Sequence, residues 1–373
     1  MSMSLSAKSL PSSEMREAGA LSQMQRVLRQ MGSKQGNSAA KRGSAESVPV
    51  RAGKCVSASA ALDVRGAGTV STDWLHNNLS NEKLAVLDCS WYLPSANRDP
   101  RAEFMKSGRI PGAQFFDTDS VKDIQTDLPH MLPPPAAFAA AMDALAIRND
   151  TAVIVYDCAT TGLFSAARAF WMLRAFGHSN CAVLDGGFQK WKSERRPVEQ
   201  DLVSEEAVDA SSTACAAAQR GDANQQPSYS ASMDKSLVRN KEEVLNRVAN
   251  SMSEQLVDAR PADRFRGEGS EPNPDSKVGR IPNSSNLPAM SLLDPNTGEL
   301  KSEKDIRNAF KDANVDLSSN SKPIVASCGS GMTACILALG LYKIGRPDVA
   351  VYDGSWREWG TAPDTPVAKS TEQ

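Results

Sequence analysis

The chain runs through the same order of short segments twice, and this internal repeat limits the folds it can adopt. An apolar segment that ends in aspartate, residues 84–88, is matched by residues 255–258 in the second half. A Gly-Arg-Ile-Pro motif follows each of them, at residues 108–111 and 279–282. Short apolar segments that alternate with helix-forming ones are typical of a parallel sheet covered by helices. The repeat therefore predicts two α/β domains of the same fold.

Composition shifts along the chain suggest where these domains begin and end. We assign residues 67–199 to the first domain and residues 236–366 to the second. Residues 200–235 between them are rich in Ala, Ser, Gln and Asp and lack a buried pattern, which predicts an interdomain linker.

The first 66 residues differ from the rest of the chain. They carry ten Lys or Arg and only four Asp or Glu, with abundant Ser and Ala. Residues 14–31 can form a helix with its apolar side chains on one side. Such a leader is typical of an organellar transit peptide, and the alternative is a disordered tail without an address. The first interpretation predicts a mitochondrial protein, with plastid and cytoplasmic locations as alternatives.

The overall composition excludes several classes of function. With 373 residues, 40% hydrophobic and 23% charged, the chain is long enough for two ordinary globular domains. A net charge of −2 argues against nucleic acid as the main partner, and no apolar run approaches membrane-spanning length. Seven cysteines without C-x-x-C spacing and only three histidines disfavour a disulfide framework or a metal site. We expect no nucleic acid, no membrane and no metal.

Cys328 is the strongest indication of chemistry in the sequence. It stands between an apolar segment, residues 323–326, and a helix-forming run, residues 334–342. Ligands of open α/β sheets bind at the carboxyl ends of strands, and the start of a helix favours thiolate over thiol. Gly329 and Gly331 allow the backbone to form a cradle around the sulfur. These features predict that Cys328 is a nucleophile.

The matching position of the first half carries Asp157 instead of a cysteine. We therefore predict one active site, in the second domain. Cys158 lies one residue further on, outside the matching loop, and Cys335 lies in the apolar helix. Both are predicted to be structural, because a reactive thiol needs an electropositive surrounding.

Six motifs, in this order, make the chain resemble the two-domain rhodanese-type sulfurtransferases over residues 68–366. Among these, it is most similar to the 3-mercaptopyruvate sulfurtransferases of plants and bacteria. The motifs are Asp88–Pro94, Ile110–Ala113, Leu128–Pro133, Leu184–Gly187, Cys328–Thr333 and Tyr352–Trp356. The resemblance implies an α/β fold of two tandem rhodanese-like domains, each a parallel sheet with helices on both faces, of which only the second is catalytic.

The same resemblance implies an activity. Such an enzyme takes sulfur from 3-mercaptopyruvate as a cysteine persulfide, releases pyruvate, and passes the sulfur to a thiol such as thioredoxin or to cyanide, without a cofactor. Thiosulfate sulfurtransferases have cationic residues where this chain has Gly329 and Ser330, so the neutral loop favours mercaptopyruvate. Ala334, six residues after Cys328, disfavours a phosphatase-type C-x-x-x-x-x-R loop. The alternatives are a thiosulfate sulfurtransferase and a non-catalytic interaction or sulfide-sensing module.

The loop after Cys328 suggests further roles. Backbone N–H groups of Gly329, Gly331, Met332 and Thr333 are expected to hold the persulfide and the developing anion. Ser330 either relays a proton to the pyruvate enolate or is an adaptable loop hydroxyl. The Thr333 hydroxyl is predicted to cap the following helix, with a persulfide contact as the alternative.

The carboxylate of an α-keto acid calls for arginine, whose planar fork can bind it in bidentate fashion. Arg264 matches the substrate-binding arginine of the family. Arg260, also a candidate, follows Asp258 and is predicted to form a structural ion pair.

Two departures from the family pattern stand out. A second arginine is usual where this chain has Asn273, and Lys277 or Arg280 are the candidates to replace it. Arg109 and Arg280 also stand where the family has the histidines of two His-Ile-Pro-Gly motifs. A Ser–His–Asp relay built on position 109 is therefore excluded, and Arg109 is instead a candidate to bind the carboxylate across the domain interface.

Overall fold

The computed structural model describes residues 62–222, 226–250, 254–318 and 322–369. The predicted leader helix, residues 14–31, lies outside them. Residues 62–66, which we had assigned to the leader, instead pack on the first domain. Val64 is buried, and its N–H donates a hydrogen bond to Asn180 Oδ1 at 2.9 Å.

The first domain is built on a five-stranded parallel sheet with the strand order β1-β5-β4-β2-β3. Its central strands consist of consecutive apolar residues because helices cover both faces. The strands are β1 (Thr69–Val70), β2 (Leu84–Asp88), β3 (Gln114–Phe115), β4 (Ala152–Tyr156) and β5 (Cys181–Leu184).

The second domain repeats this sheet in the same relative order, β6-β10-β9-β7-β8, again with all strands parallel. Its strands are β6 (Val238–Arg239), β7 (Gln255–Asp258), β8 (Ser284–Asn286), β9 (Ile324–Ser327) and β10 (Ala350–Tyr352). Tyr156 pairs with Asp88 in the first sheet, and Ser327 pairs with Asp258 in the second. The repeat and the α/β fold class are confirmed, and Asp157 and Cys328 take equivalent positions after the central strands.

Helices flank both sheets. Those of the first half are α1 (Thr72–Asn78), α2 (Pro100–Lys106), α3 (Pro135–Ala144), α4 (Ala166–Ala175), α5 (Gly187–Ser193) and α6 (Glu205–Arg220). Those of the second half are α7 (Lys241–Ala249), α8 (Ala262–Arg266), α9 (Glu303–Asp312), α10 (Ala334–Lys343) and α11 (Ser355–Trp359). Within the part of the chain that the structure describes, none of them is long and apolar enough to cross a membrane.

The predicted linker, residues 200–235, contains helix α6, so the interpretation that it lacks a buried pattern was wrong. The Ser204 side chain caps the helix by accepting a hydrogen bond from the Ala207 N–H. Val208, Ser211 and Cys215 are buried, and α6 packs on α3. These three residues have helical spacing. Two of them are small, so the pattern lacks the large apolar side chains that usually indicate the buried face of a helix.

The two domains share one hydrophobic core. Alternate residues of a strand face opposite sides of its sheet, so Val153 and Val155 face this core while Ile154 and Tyr156 face a separate one. Helices α4 and α10 contact each other between the sheets, where the rings of Phe170 and Tyr342 meet edge to face at 5.3 Å. An interface with the character of a core holds the domains in one arrangement.

One buried ion pair crosses this apolar interface. Arg168 of α4 is fully buried, and its Nη2 lies 2.7 Å from Oδ1 of Asp353, which follows β10. The same guanidinium donates hydrogen bonds to the carbonyl oxygens of Gly331 and His130. Asp353 Oδ2 accepts a hydrogen bond from the Leu132 N–H of the first domain at 2.8 Å. Charge complementarity therefore fixes the register between the two domains.

We predict that Arg168→Leu lowers the free energy of unfolding by about 3–5 kcal/mol, because it leaves the carboxylate of Asp353 buried without its cation. The double variant Arg168→Leu/Asp353→Leu should recover much of that loss, since no unpaired charge remains. Urea denaturation of the full chain measures both. Equal stability of the wild type and Arg168→Leu would contradict a structural role for the pair.

Candidate active site

Cys328 follows β9 directly and lies at the base of a cavity between the domains. Its side chain is 1% exposed. The cavity has a volume of about 530 Å³, and Trp91, Leu93 and Phe164 of the first domain line it together with residues of the second. Among them are all the predicted loop residues, namely Cys328, Gly329, Ser330, Met332 and Thr333, except Gly331. The predicted nucleophile is thus enclosed by both domains, although it belongs to the second.

The backbone around Cys328 has the properties of an anion cradle, and the first domain shows how such a cradle is filled. There the Asp157 carboxylate accepts hydrogen bonds from the N–H groups of Ala159, Phe164 and Ala166 at 3.0, 2.8 and 2.7 Å. In the second domain, no described residue accepts a hydrogen bond from the N–H groups of residues 329–333. An anion carried by Cys328, such as a persulfide, would therefore find unpaired donors at the position equivalent to the Asp157 carboxylate.

The two glycines of the loop have different roles. Gly331 has a φ of +78°, and a Cβ there would lie 2.7 Å from both Arg168 Nη1 and the Asp353 carbonyl oxygen. Only glycine fits that position. Gly329 is not in the left-handed region, and a Cβ there would meet Arg264 Nη2 at 3.6 Å, an ordinary contact. The backbone of the loop therefore requires glycine at position 331 but not at position 329.

Thr333 directly precedes α10, but its side chain caps no backbone N–H of that helix. The prediction of a capping hydroxyl was wrong. The loop is anchored instead by Ser355, whose Oγ accepts a hydrogen bond from the Cys328 N–H at 3.1 Å and donates one to the Tyr352 carbonyl oxygen. Ser355 is buried and has a φ of +49°, a conformation that costs energy for a residue with a side chain.

Arg260 and Arg264 both line the cavity, and a shared carboxylate connects them. One carboxylate oxygen of Glu271 lies 2.9 Å from Arg260 Nη1, and the other lies 2.5 Å from Arg264 Nη2. Arg260 also pairs with Asp258 and donates to the Gly279 carbonyl oxygen, as expected of a structural ion pair. Arg264 retains a buried Nε without a hydrogen-bond partner. Four of the five N–H groups of Arg260 have an acceptor among the described residues, whereas Arg264 donates only through Nη2, so Arg264 has more donors left for a ligand.

The other cationic candidates lie elsewhere. Arg109 pairs with Glu199 and donates to the Asp201 carbonyl oxygen. It lines neither this cavity nor a second, smaller cavity that adjoins it at Gly329 and Ser330. The hypothesis that it binds a carboxylate across the interface therefore has no structural support.

Lys277 and Arg280, the candidates to replace the second arginine, also lie outside both cavities. Lys277 Nζ donates to the carbonyl oxygens of Ala362 and Thr365. The guanidinium of Arg280 lies over the ring of Phe265.

Sequence reasoning missed a histidine and an aspartate next to the site. His130 lines a second cavity of about 240 Å³, which shares Gly329 and Ser330 with the first. Its Nδ1 lies 3.1 Å from Asp119 Oδ1, and the nearby imidazole holds the pKa of that carboxyl below the ordinary value. A neutral imidazole that carries its proton on Nδ1, toward Asp119, would present Nε2 as a proton acceptor. A serine, a histidine and an aspartate for the relay that position 109 cannot provide thus lie at positions 330, 130 and 119. The histidine belongs to the Leu128–Pro133 motif, which is the sequence feature that could have identified it.

The remaining cysteines near the loops have the character of core residues. Burial raises the pKa of the Cys335 thiol far above its ordinary value, and Cys335 Sγ lies 3.2 Å from the Gly331 carbonyl oxygen. Burial likewise raises the pKa of Cys158, which lies beside Asp88. Neither thiol has the unpaired donors that surround Cys328, in keeping with the structural role predicted for both.

A larger depression of about 790 Å³ lies beside α9, away from Cys328. The residues that line it include no cysteine, histidine or arginine, so it offers neither a thiol nor a guanidinium. The candidate site is therefore the pair of cavities around Ser330.

Comparison with known proteins identifies relatives along most of the chain. Residues 71–194 and 240–362 each match the family model of the rhodanese-like domain. Thiosulfate/3-mercaptopyruvate sulfurtransferase 1, mitochondrial, of Arabidopsis thaliana is 41% identical over 303 residues, which cover 80% of this chain and 77% of that protein. The 3-mercaptopyruvate sulfurtransferase of Mus musculus is 40% identical over 78% of this chain and 91% of its own length. The thiosulfate sulfurtransferase of Gallus gallus is 40% identical over 80% and 95%.

Solved structures show the same two-domain architecture. The crystal structure of SseA from Escherichia coli, a 3-mercaptopyruvate sulfotransferase, has a TM-score of 0.63 at 33% identity and covers 78% of this chain and 99% of its own. Tum1 from Saccharomyces cerevisiae has a TM-score of 0.69 at 29% identity and covers 82% and 98%. With both domains matched by one family model and full-length relatives at about 40% identity, the chain belongs to the rhodanese-like family and groups with its two-domain sulfurtransferases.

Proposed function

We propose that this protein takes sulfur from 3-mercaptopyruvate as a persulfide on Cys328, releases pyruvate, and passes the sulfur to a thiol or to cyanide. The observation that carries this proposal is the buried Cys328 in a neutral loop whose backbone N–H groups have no acceptor among the described residues. Such a loop stabilises a sulfur anion by backbone dipoles alone and leaves the cationic side chains to the carboxylate.

The first half-reaction follows from this arrangement. The Cys328 thiolate attacks the substrate sulfur, an S–S bond forms, and the C–S bond breaks with its electron pair going to carbon. The products are the persulfide and the enolate of pyruvate. In the second half-reaction an acceptor thiolate attacks the outer sulfur and returns Cys328 as thiolate, so no outside oxidant or reductant is needed.

The enolate must gain a proton at carbon before pyruvate leaves. Ser330 and His130 line the same cavity, and Asp119 holds the imidazole through Nδ1. His130, alone or through the Ser330 hydroxyl, therefore takes the proton that the substrate thiol brings and returns it to the enolate carbon, acting first as general base and then as general acid. His130 has a φ of +64°, and Arg168 binds its carbonyl oxygen, so its position is held against backbone strain.

A thiosulfate sulfurtransferase is the second candidate. Relatives of both names have nearly the same identity to this chain. The loop itself favours mercaptopyruvate, since residues 329–333 contain no cation to hold a doubly charged donor. A non-catalytic rhodanese-like module is the third candidate, and the complete site around Cys328 argues against it.

Acceptor and location are further parts of the proposal. Cys328 lies at the base of an apolar cavity, which a small thiol, cyanide or an exposed cysteine of a protein such as thioredoxin has to enter. The Arg- and Ser-rich leader and the mitochondrial name of one Arabidopsis relative support a mitochondrial location.

Incubation with 3-mercaptopyruvate alone should add about 32 Da to the protein, the mass of one sulfur atom on the thiolate. Cys328→Ser should abolish both this shift and turnover. Cys335→Ser is the matched control, and it should retain the shift because Cys335 is buried away from the cradle. Intact-protein mass spectrometry measures this, and persistent loading of Cys328→Ser would exclude Cys328 as the carrier.

A comparison of donors separates the two sulfurtransferase candidates. We expect the wild type to have a higher kcat/KM with 3-mercaptopyruvate than with thiosulfate, at saturating acceptor, because the loop lacks side-chain cations. Steady-state kinetics on the full chain measure this. A clear preference for thiosulfate would favour the second candidate.

We predict that His130→Asn lowers kcat with 3-mercaptopyruvate by about 100-fold, in the range typical for loss of a general acid. Asparagine tolerates the positive φ of this position. The kcat with thiosulfate should change much less, because sulfite leaves without a proton on carbon. His76→Asn, at an exposed position of α1, is the control, and equal losses with both donors would contradict the proton-transfer role.

A further inference from the structure

The arginines at the wall of the main cavity bring no net charge to it. Arg260 and Arg264 are matched by Asp258 and Glu271, with ion-pair distances of 2.5 to 2.9 Å. Two guanidinium groups and two carboxylates sum to a formal charge of zero. Arg264 can orient a ligand through Nη1, which donates to no described residue and faces Gly329, but this cluster does not by itself compensate the negative charge of a substrate carboxylate.

Arg357 on α11 is a cation of a different kind. It lines the second cavity together with Arg264, Asn273 and Ser330. Its backbone N–H donates to the Gly329 carbonyl oxygen at 2.8 Å, which fixes α11 against the loop that follows Cys328. No acidic residue within 62–222, 226–250, 254–318 or 322–369 forms an ion pair with its guanidinium, and its side chain donates no hydrogen bond there. Arg357 thus adds an uncompensated positive charge to the site.

We propose that Arg357 binds the carboxylate of the donor and thereby sets the preference for 2-oxo acids, an inference that rests on the proposed function. Gly329 and Ser330 line both cavities, so a donor whose sulfur meets Cys328 in the first can direct its carboxylate into the second. There Arg264 contributes a directional hydrogen bond and Arg357 contributes the charge.

Asn273 offers a way to test whether charge is the property that matters. It lines the same cavity as Arg357 and is neutral, with its Nδ2 donating to Ser276 Oγ at 3.3 Å. An arginine at position 273 would return a guanidinium to that cavity from another element, the loop between α8 and β8. A charge removed at position 357 can therefore be restored without rebuilding α11.

The test is the kinetics of Arg357→Gln with two donors. With 3-mercaptopyruvate we expect KM to rise about 10- to 100-fold at nearly unchanged kcat, as for the loss of one charged hydrogen bond that binds ground and transition states alike. With mercaptoacetone, which has a methyl group in place of the carboxylate, KM should not change. Arg266→Gln is the control, because Arg266 lies on the neighbouring α8 but lines neither cavity.

The double variant Arg357→Gln/Asn273→Arg should bring KM for 3-mercaptopyruvate back toward the wild-type value. A KM of Arg357→Gln within twofold of the wild type would overturn the inference, and so would equal increases with both donors. A wild type that forms no persulfide from 3-mercaptopyruvate would instead overturn the proposed function, and the inference with it.

Discussion

The buried guanidinium of Arg168 is the constraint on which the geometry of this site depends. It binds Asp353 and the Gly331 carbonyl of one domain and the His130 carbonyl of the other. The loop that follows Cys328 and the loop that contains His130 are therefore held by the same side chain. A buried arginine is costly unless its donors are paired, so the bound arrangement of both loops is strongly preferred over any in which the domains have shifted. The same buried interactions therefore determine both the geometry of the site and the packing of the two domains.

The internal repeat explains why two similar domains produce one site. Both domains end their central strand at a loop of backbone donors, and both loops have room for an anion. In the first domain Asp157 occupies those donors permanently, with three N–H groups on its carboxylate. In the second domain, the N–H groups that follow Cys328 have no acceptor among the described residues, so they are available to a transiently bound anion. The first domain then contributes Trp91, Phe164 and His130 to the walls of the site next to Cys328.

Local patterns were enough to predict the parallel-sheet fold, the repeat and Cys328 as a candidate nucleophile, because a buried strand followed by a glycine-containing turn is encoded in one short stretch of sequence. The parts that the sequence did not disclose depend on long-range packing. His130 and Ser330 are 200 positions apart, and no spacing rule relates them. Arg168 lies on the buried side of the apolar helix α4, and an arginine at such a position indicates a buried acidic partner. Helix α6 was not predicted, because most of the residues on its buried face are small.

The distribution of charge separates the tasks of the site. A cation next to Cys328 would stabilise the thiolate and the persulfide, but it would also weaken both as nucleophile and sulfur donor. Keeping residues 329–333 neutral avoids this conflict, because backbone dipoles stabilise an anion without pairing with it through a mobile side chain. The cations then act at a distance from the sulfur: Arg264 is held by Glu271, and Arg357 is attached to the loop through its own backbone. A donor that carries its negative charge several bonds away from the transferred sulfur matches this layout, whereas thiosulfate carries its charge directly on the transferred sulfur and the group next to it.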